Sequence, residues 1–208
     1  MDIPQNIKVE AQKRIEPYDV EGFVIGKGDT ESEVMIVGEA PGENEIVKGE
    51  PFIGRAGKEL DKQLEILGLD RKHIYITSVV RSRPYYWTKS NKEGMRKANR
   101  KPTQKEIIAH AELLDYQIEQ VAPKIIIALG NVAFKRLIGS EDKLSSVIGR
   151  VMETPVLKWR DEEGWVESEY FYKVIPLYHP AAVFYNPKIR PQLEQSLHEV
   201  KRYLDEKL

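Results

Sequence analysis

Three short segments of the chain combine chemically reactive side chains with the residues of tight turns. The segment VMIVGEAPGENE places Glu39 directly after an apolar run, between a glycine and a proline-containing turn. Phe52 lies in GEPFIGRAG, and His179 lies in YHPAA. If the three side chains share one cleft, the carboxylate can act as a base, the imidazole can donate a hydrogen bond and the phenyl ring can stack on a planar substrate.

Each of these three residues also has an ordinary structural explanation. Glu39 can cap the N-terminus of a helix, Phe52 can belong to the core, and His179 can be a loop histidine with satisfied hydrogen bonds. A phosphate-binding turn is not indicated, because the chain has neither Gly-x-Gly-x-x-Gly nor Gly-Lys-Ser/Thr. The order of the three segments along one chain favours a shared site over three coincidences.

The remaining pattern predicts strands that alternate with helices. Strands are predicted at 34–37, 73–80, 124–130 and two or three times within 150–180, and helices at 56–67, 103–123, 131–138 and from 191 onward. Because the strands are apolar throughout, we expect an α/β fold, a three-layer α/β/α sandwich with a central, mainly parallel sheet of four to five strands. Ligands bind at the carboxyl ends of such strands, and Glu39, Ser78 and His179 lie at or just after predicted strand ends.

Length and composition limit the possible functions. The 208 residues are expected to form a single domain, 1–208, with an N-terminal arm at 1–32 and a basic aromatic loop at 81–102. The absence of cysteine excludes disulfides, thiolate metal sites and thiol catalysis, and the four histidines show no zinc-binding spacing, so we expect no metal and no cofactor. No run reaches membrane-spanning length, and we expect a monomeric, cytoplasmic protein with no membrane contact.

Positive charge is concentrated in the segment RSRPYYWTKSNKEGMRKANRK, residues 81–101. This segment holds eight of the 32 Lys and Arg residues but only one of the 33 acids, in a chain whose net charge is −1. Aromatic side chains among cations, here Tyr85, Tyr86 and Trp87, are typical of surfaces on which bases stack while charges hold phosphates. The alternative is a solvated insertion, which is what most charged segments are.

The motifs in this order resemble the uracil-DNA glycosylase superfamily, in particular its family 4, whose members carry an iron–sulfur cluster. The resemblance covers GEAPGENE, GEPFIGRAGKEL, YITSVVRSRP, NRKPTQKEI, PKIIIALGNVAFKRLIG and YHPAAV. It implies a monofunctional DNA repair enzyme that hydrolyses the N-glycosidic bond of a flipped-out uracil, in single- or double-stranded DNA, and leaves an abasic site.

The resemblance also implies a role for each residue of the motifs. His179 would donate a hydrogen bond to a uracil carbonyl oxygen and stabilise the departing base, Glu39 would position water and stabilise positive charge on the sugar, and Phe52 would stack on the base. The remaining pocket residues implied are Gly38, Ala40, Pro41, Gly42 and Ser78.

The segment after the histidine is expected to enter the DNA. Val183, Phe184 and Tyr185 suit an apolar wedge that fills the space left by the flipped base, with cations near the phosphates. The DNA contacts expected from this segment and from the basic loop are Arg81, Arg83, Tyr85, Tyr86, Trp87, Arg100, Pro180, Ala181, Val183, Phe184, Lys188 and Arg190.

Two departures from family 4 leave the activity open. The cluster cysteines are absent, with Ser82 and His110 at two of their positions, so we expect no cluster and a structural substitute, such as packing of the N-terminal arm. Ser78 replaces an asparagine whose amide reads the uracil edge, and a hydroxyl cannot make both amide contacts. The alternatives are therefore a glycosylase for another deaminated base, such as hypoxanthine or xanthine, and a weak or inactive DNA-binding member.

Overall fold

The computed structural model describes residues 1–90 and 94–208. The strands are β1 Val20–Glu21, β2 Lys27–Gly28, β3 Val34–Gly38, β4 Tyr75–Ser78, β5 Arg83–Lys89, β6 Met95–Asn99, β7 Ile125–Leu129, β8 Met152–Arg160 and β9 Gly164–Leu177. The helices are α1 Gln5–Ile15, α2 Glu43–Lys48, α3 Arg55–Leu67, α4 Gln104–Ala109, α5 Ala111–Val121, α6 Asn131–Ile138, α7 Leu144–Val147, α8 Ala182–Tyr185 and α9 Arg190–Lys207. Short 3-10 turns occur at Arg71–His73 and Pro187–Ile189.

The central sheet has six strands within the described residues, in the order β2-β4-β3-β7-β9-β8. The inner four strands are parallel, whereas β2 and β8 are antiparallel edge strands. β3 and β7 are buried along their whole length, as expected for strands covered on both faces. The mainly parallel α/β/α fold is confirmed, and the two edge strands raise the number of strands above the expected four to five.

Helices cover both faces of the sheet and bury alternate side chains of β3. Ile36 belongs to the same buried cluster as Leu60 of α3 and Leu197 of α9, whereas Met35 belongs to the opposite cluster with Phe134 of α6. Among the described residues, no helix has both the length and the apolar character needed to cross a lipid bilayer.

The strand register brings the predicted functional segments to one edge of the sheet. Gly38 at the end of β3 pairs with Ser78 at the end of β4, and Leu129 of β7 pairs with Leu177 of β9. Because all four strands run in the same direction, the turns that follow them emerge together. Glu39, Ser78 and His179 therefore share the carboxyl edge.

The predicted basic loop is largely a β-hairpin. β5 and β6 pair antiparallel, and β1 extends them to a second sheet in the order β1-β5-β6. The expectation of a loop is wrong because the run of Tyr85, Tyr86 and Trp87 favours strand structure. Residues 91–93, which the predicted loop also included, lie outside the described residues.

The base of the hairpin is fixed to the start of α4 by Glu106. Its carboxylate accepts a hydrogen bond from the backbone N–H of Thr103 at 2.7 Å, and the Thr103 hydroxyl accepts one from the Glu106 N–H at 3.3 Å. This reciprocal cap also receives Arg100, whose guanidinium donates to both carboxylate oxygens at 2.6 and 2.8 Å. Arg100 is therefore half-buried and paired with Glu106, so in this structure its guanidinium is not free for the expected contact with DNA.

The N-terminal segment packs onto the core beside a buried polar network. Arg81 is fully buried, its side chain donates to the Gln117 carbonyl, and its backbone N–H donates to His110 Nδ1 at 2.9 Å. Phe23, which follows β1, packs edge-on against the His110 ring with 5.5 Å between ring centroids. The expected DNA contact of Arg81 is wrong because its guanidinium lies in the interior.

The buried imidazole of His110 makes stability depend on pH. Burial, together with the nearby Arg81 charge, lowers the pKa of His110 to about 3. In the unfolded chain a histidine has a pKa of about 6.5, so between these values only the unfolded state binds the proton. This histidine therefore contributes a loss of unfolding free energy of about 1.4 kcal/mol for each pH unit as the pH falls through this window.

We expect His110→Asn to reduce this acid sensitivity, because an amide oxygen can still accept the Arg81 N–H but does not titrate. Urea unfolding between about pH 6 and about pH 4 measures this effect. The unfolding free energy of the variant should fall less steeply than that of wild type, by about 1.4 kcal/mol for each pH unit, because one group fewer takes up a proton on unfolding. His198→Asn on the exposed surface of α9 controls for the loss of a histidine. Equal slopes for wild type and His110→Asn would contradict the prediction.

Candidate active site

A cavity of about 350 Å³ opens at the carboxyl edge of the parallel strands. The predicted residues among its lining are Ala40, Pro41, Gly42, Phe52, Ser78, His179, Ala181 and Phe184. The cavity thus lies where an open α/β sheet usually binds its ligand, and it unites the three sequence segments.

A larger cavity, about 630 Å³, lies between α5 and the β8–β9 hairpin. Its lining includes Lys158, Tyr170 and Phe171, but it contains no predicted site residue and no histidine. We place the candidate active site in the smaller cavity because its position and its side chains agree with each other, whereas volume alone identifies no chemistry.

Phe52 is held in an unusual backbone conformation beside the end of β3. Its φ is +53°, which is rare for a residue with a side chain. Arg71 donates to the Phe52 carbonyl at 2.7 Å, and α3 approaches so closely that a Cβ on Gly57 would lie 1.8 Å from that oxygen. The ring covers Gly38, where a Cβ would lie 2.5 Å from Phe52 Cζ. Two glycines and an arginine therefore fix this ring.

His179 lies beside Phe52, with 5.7 Å between ring centroids and 33° between ring planes. Its Nδ1 accepts a hydrogen bond from the backbone N–H of Ala181 at 3.1 Å. Burial lowers the pKa of His179 to about 4, and the negative charge of Glu45 opposes this effect only in part. The ring is therefore neutral at pH 7, and its single proton must be on Nε2, which becomes a hydrogen-bond donor.

Glu45 joins the two loops that form the cavity wall. Its buried carboxylate accepts hydrogen bonds from the backbone N–H groups of Gly42 at 3.2 Å, Ile53 at 3.1 Å and Gly54 at 2.9 Å. The sequence interpretation missed this residue. The signal was its position, three residues after Gly42 at the start of a helix, where a glutamate commonly bonds back to the cap.

Glu39 follows β3 and precedes Ala40 of the cavity lining, but it is not itself a lining residue, and it is half-buried. Burial raises the pKa of its carboxyl group, and the positive charge of Lys101 opposes this effect. Within the described residues, no donor lies within hydrogen-bond distance of the carboxylate. Glu39 therefore keeps its lone pairs free for water or for a positive charge on a ligand.

Ser78 and Asn99 add two polar groups to the cavity wall. The Ser78 hydroxyl donates to the Val80 carbonyl at 2.8 Å, so its oxygen remains an acceptor. The Asn99 Oδ1 accepts from Arg83 Nε at 2.6 Å, which fixes the orientation of the amide and leaves its NH₂ group as the free donor. Sequence reasoning did not single out Asn99, because only the hairpin brings it to this wall.

Comparison with known proteins agrees with these motifs. Residues 25–203 match the family described as the Uracil DNA glycosylase superfamily, which is most of the chain. The chain belongs to this superfamily.

Curated relatives of this superfamily member include enzymes from archaea and a phage protein. The chain is 39% identical to the Type-4 uracil-DNA glycosylase of Saccharolobus solfataricus, over 88% of this chain and 77% of the relative. It is 36% identical to the Type-4 uracil-DNA glycosylase of Archaeoglobus fulgidus, over 86% and 80%. It is also 30% identical to a DNA polymerase of Bacillus phage SP01, over 78% of this chain and 15% of that protein.

The hairpin arginine nearest the cavity is not free to contact a ligand. Arg83 is buried, donates to Glu21 at 2.6 Å and holds Asn99. Its expected DNA contact is therefore wrong in this structure, because the guanidinium is itself buried and its nitrogens already donate within the protein. The aromatic residues of the same strand differ, since Tyr85 is half-buried and Tyr86 and Trp87 are exposed.

The segment after His179 presents a different wedge from the one expected. Val183 is 2% exposed and packs in the core, so its expected contact with DNA is wrong. Phe184 is half-buried, with the Arg55 guanidinium 3.9 Å from its ring centroid, whereas Tyr185 is 88% exposed.

The remaining expected contacts of this segment divide by exposure. Pro180 is buried and Ala181 is half-buried. Lys188 and Arg190 are exposed, and Arg190 lies 3.3 Å from the Glu59 carboxylate. Pro180 is therefore a packing residue, whereas Lys188 and Arg190 are placed where phosphates could reach them.

The iron–sulfur cluster implied by the resemblance to family 4 does not fit this chain. Such a cluster needs thiolates, and the chain has no cysteine. At the corresponding positions Ser82 and His110 are buried, and His110 Nδ1 already accepts a hydrogen bond. The described residues contain no group of three or more His, Asp or Glu side chains arranged to hold a metal ion.

Displacement of the Phe52 ring should impair the site without unfolding it. We expect Gly38→Ala to reduce uracil release about 100-fold, the loss typical of a shift of about 1 Å in a catalytic group, because the new Cβ must push the ring aside.

Gly49→Ala is the control, since nothing lies within 4 Å of the new methyl group. Gly49 has a φ of +72°, unlike Gly38, so this control carries backbone strain but displaces no ring. Uracil release from an oligonucleotide is the measurement, with circular dichroism to verify folding. Equal activity of Gly38→Ala and Gly49→Ala would show that the ring position does not matter.

Proposed function

We propose that the protein is a monofunctional uracil-DNA glycosylase that hydrolyses the N-glycosidic bond of flipped-out uracil and leaves an abasic site in DNA repair. The observation that carries the proposal is the neutral His179, whose Nδ1 is occupied by Ala181 so that Nε2–H donates into a cavity walled by Phe52. The partner is DNA containing uracil. We expect a monomer that acts in the cytoplasm.

His179 stabilises the departing base. When the glycosidic bond breaks, its electron pair stays with the base, and negative charge develops on a uracil carbonyl oxygen. The Nε2–H group donates to that oxygen, and a neutral donor is sufficient because the charge is delocalised over the ring. The depressed pKa of about 4 keeps the imidazole in this form at neutral pH.

Glu39 acts on the sugar side of the same bond. The deoxyribose carries positive charge as the base leaves, and a carboxylate at the end of β3 stabilises that charge. The same carboxylate orients the water that attacks C1′ and accepts its proton. Its pKa is raised by burial, so it is a stronger base than an exposed glutamate.

Phe52 provides the wall against which the flipped base stacks. The ring is 9% exposed and is fixed by its neighbours, so it is ordered before the substrate arrives. Tyr185 is the best wedge in this segment, because its exposed ring can occupy the space that the base leaves in the helix. Lys188 and Arg190 are placed to contact the backbone phosphates.

Ser78 and Asn99 together can read the edge of the base. Uracil presents an N–H donor next to a carbonyl acceptor, and the Ser78 oxygen and the Asn99 NH₂ group are an acceptor and a donor in the same cavity. The two residues would thus share the contacts that one asparagine amide makes in family 4.

Because Ser78 and Asn99 would share the hydrogen bonds to the base edge, a second class of base is also a candidate substrate. Hypoxanthine and xanthine also present an N–H group next to a carbonyl, and a serine has a shorter reach than the asparagine it replaces. A larger deaminated base is therefore a specific alternative to uracil. A panel of oligonucleotides with each lesion separates the two, since release of uracil alone would exclude the alternative.

The acid limit of activity should be set by Glu39. Its pKa is raised above 4.5, whereas that of His179 is about 4, so the carboxylate is protonated first as the pH falls. In wild type we expect kcat to decrease as the pH falls through the pKa of Glu39, which lies above 4.5. In Glu39→Gln this decrease should be absent.

His179→Ala should reduce kcat by about 100- to 1,000-fold, as for the loss of one donor to a developing anion.

Single-turnover release of uracil over a range of pH measures both effects. His179→Gln tests whether a hydrogen-bond donor of similar size restores part of the rate that His179→Ala loses. It should also preserve the decrease of kcat at low pH that is due to Glu39. Absence of uracil release by the folded wild-type protein, from single- and double-stranded DNA alike, would contradict the proposed function and would favour a binding role.

The Asn99 amide should contribute to base recognition through its NH₂ group. Asn99→Asp keeps an acceptor for Arg83 but removes the donor, and we expect kcat/KM for uracil to fall up to about tenfold because one hydrogen bond to the base edge is lost. Steady-state kinetics on one uracil oligonucleotide measure this. An unchanged kcat/KM in Asn99→Asp would remove Asn99 from the readout.

A further inference from the structure

One face of the β5–β6 hairpin continues directly from the wall of the active-site cavity. The strand register places Asn99 opposite Tyr85 and Lys97 opposite Trp87. Side chains alternate between the two faces of a strand, and residues directly opposite each other share a face. These four residues therefore lie on one face, and Asn99 is the member that lines the cavity.

The side chains on this face form a ladder of rings and aliphatic groups. The rings of Tyr85 and Trp87 meet edge to face with 6.0 Å between centroids. Lys97 Nζ lies 4.2 Å from the centroid of the Tyr85 ring and 5.6 Å from that of Trp87. Met95, the next residue out on this face, is 58% exposed. We call the face formed by Tyr85, Trp87, Met95 and Lys97 the hairpin platform.

Trp87 is 56% exposed although it belongs to a paired strand. Tryptophan has a large apolar surface, and its exposure in a regular element marks a surface that contacts something else. Because its ring is oriented by Tyr85 and Lys97, the indole is fixed before a ligand arrives. The ring is therefore a preformed stacking surface at a short distance along the strand from the cavity wall.

The charges of the hairpin decide which form of DNA it suits. Arg83, Lys97 and Arg100 pair with carboxylates of the protein, so they offer little to a phosphate. Lys89 and Arg96 are exposed, and within the described residues neither has a carboxylate partner. The register places Lys89 opposite Met95 on the platform face and Arg96 opposite Thr88 on the other face. The platform thus presents mainly rings, with Lys89 at its outer end.

This arrangement matches an unpaired strand better than a duplex. In a duplex the faces of the bases are covered by their neighbours, and a protein reaches only base edges and phosphates. In a single strand the faces are free, and stacking on aromatic side chains together with nearby cations is the usual mode of binding. Side chains on one face of a strand recur at every second residue, about 6.6–6.8 Å apart. Successive unpaired bases can therefore meet successive side chains.

We propose that the hairpin platform binds an unpaired base next to the flipped nucleotide by stacking on Trp87, and that it directs the enzyme toward uracil in single-stranded DNA. The strand preference rests on the proposed function, because it assumes that the cavity holds the flipped nucleotide. Binding of unpaired DNA by the platform does not require catalysis.

The test compares Trp87→Ala with wild type on a uracil oligonucleotide as a single strand and as its fully paired duplex. For the single strand we expect KM to rise about 5- to 100-fold, the loss typical of one base–aromatic stack, with kcat nearly unchanged. For the duplex the change should be much smaller. Trp87→Phe should restore part of the single-strand affinity, because a ring is retained.

Phe171→Ala is the matched control. Phe171 is a similarly exposed aromatic residue, at 65%, on the β8–β9 hairpin and outside the active-site cavity. Its loss should leave KM unchanged for both substrates. An effect of Phe171→Ala equal to that of Trp87→Ala would show that any exposed ring acts in the same way and would overturn the proposal.

A second measurement separates this proposal from the proposed function. Fluorescence anisotropy with labelled, uracil-free oligothymidylate reports binding of a single strand without base release. Weaker binding by Trp87→Ala supports the platform, even if wild type releases no uracil. Uracil release by wild type together with unchanged oligothymidylate binding by Trp87→Ala overturns the platform, assigns the exposed rings to another partner such as a protein, and leaves the proposed function intact.

Discussion

The active site depends on one buried carboxylate. Glu45 accepts hydrogen bonds from the backbone of both loops of the cavity wall, at Gly42 and at Ile53 and Gly54. These N–H groups lie near helix starts, where no helical partner exists, and burying them unpaired would cost about 1–3 kcal/mol each. A single charged acceptor satisfies them and sets the distance between the loops. The position of Phe52, and through it the stacking wall, follows from this contact.

Local pattern was sufficient to predict the parallel core of the sheet and the placement of Glu39 and His179 at its carboxyl edge, and it failed where partners are distant in the sequence. Apolar runs marked β3 and β7, and the motifs placed Glu39 and His179 at the same edge. Arg83 looked free because its carboxylate partner is far along the chain, whereas Arg100 looked free although its partner Glu106 is only six residues away. Glu21, for example, lies 62 residues before Arg83. Charge counts cannot show such pairs, because only the folded chain brings them together.

The region of Ser82 and His110, which corresponds to the cluster site of family 4, is filled by a buried network of polar side chains and not by apolar side chains alone. Gln117 joins Thr77, Tyr75 and the Ile25 carbonyl, and it also receives Arg81. Burying a cation without a carboxylate is costly, and among the described residues Arg81 Nε and one terminal nitrogen have no partner. The hydrogen bond to Gln117 offsets part of this cost, whereas the apolar groups of the N-terminal segment exclude the water that would otherwise solvate the cation.

The left-handed backbone at Phe52 has a further consequence for how such a protein can change. Holding a bulky residue at a φ of +53° costs on the order of 1–3 kcal/mol, which the rest of the fold must supply. A glycine there would relax the backbone, but loss of the ring from the buried cluster that it joins would cost about 3–5 kcal/mol. The packing of the ring therefore outweighs the strain of the backbone that holds it. Substitution at this position can relieve the strain only by giving up both the packing and the stacking wall.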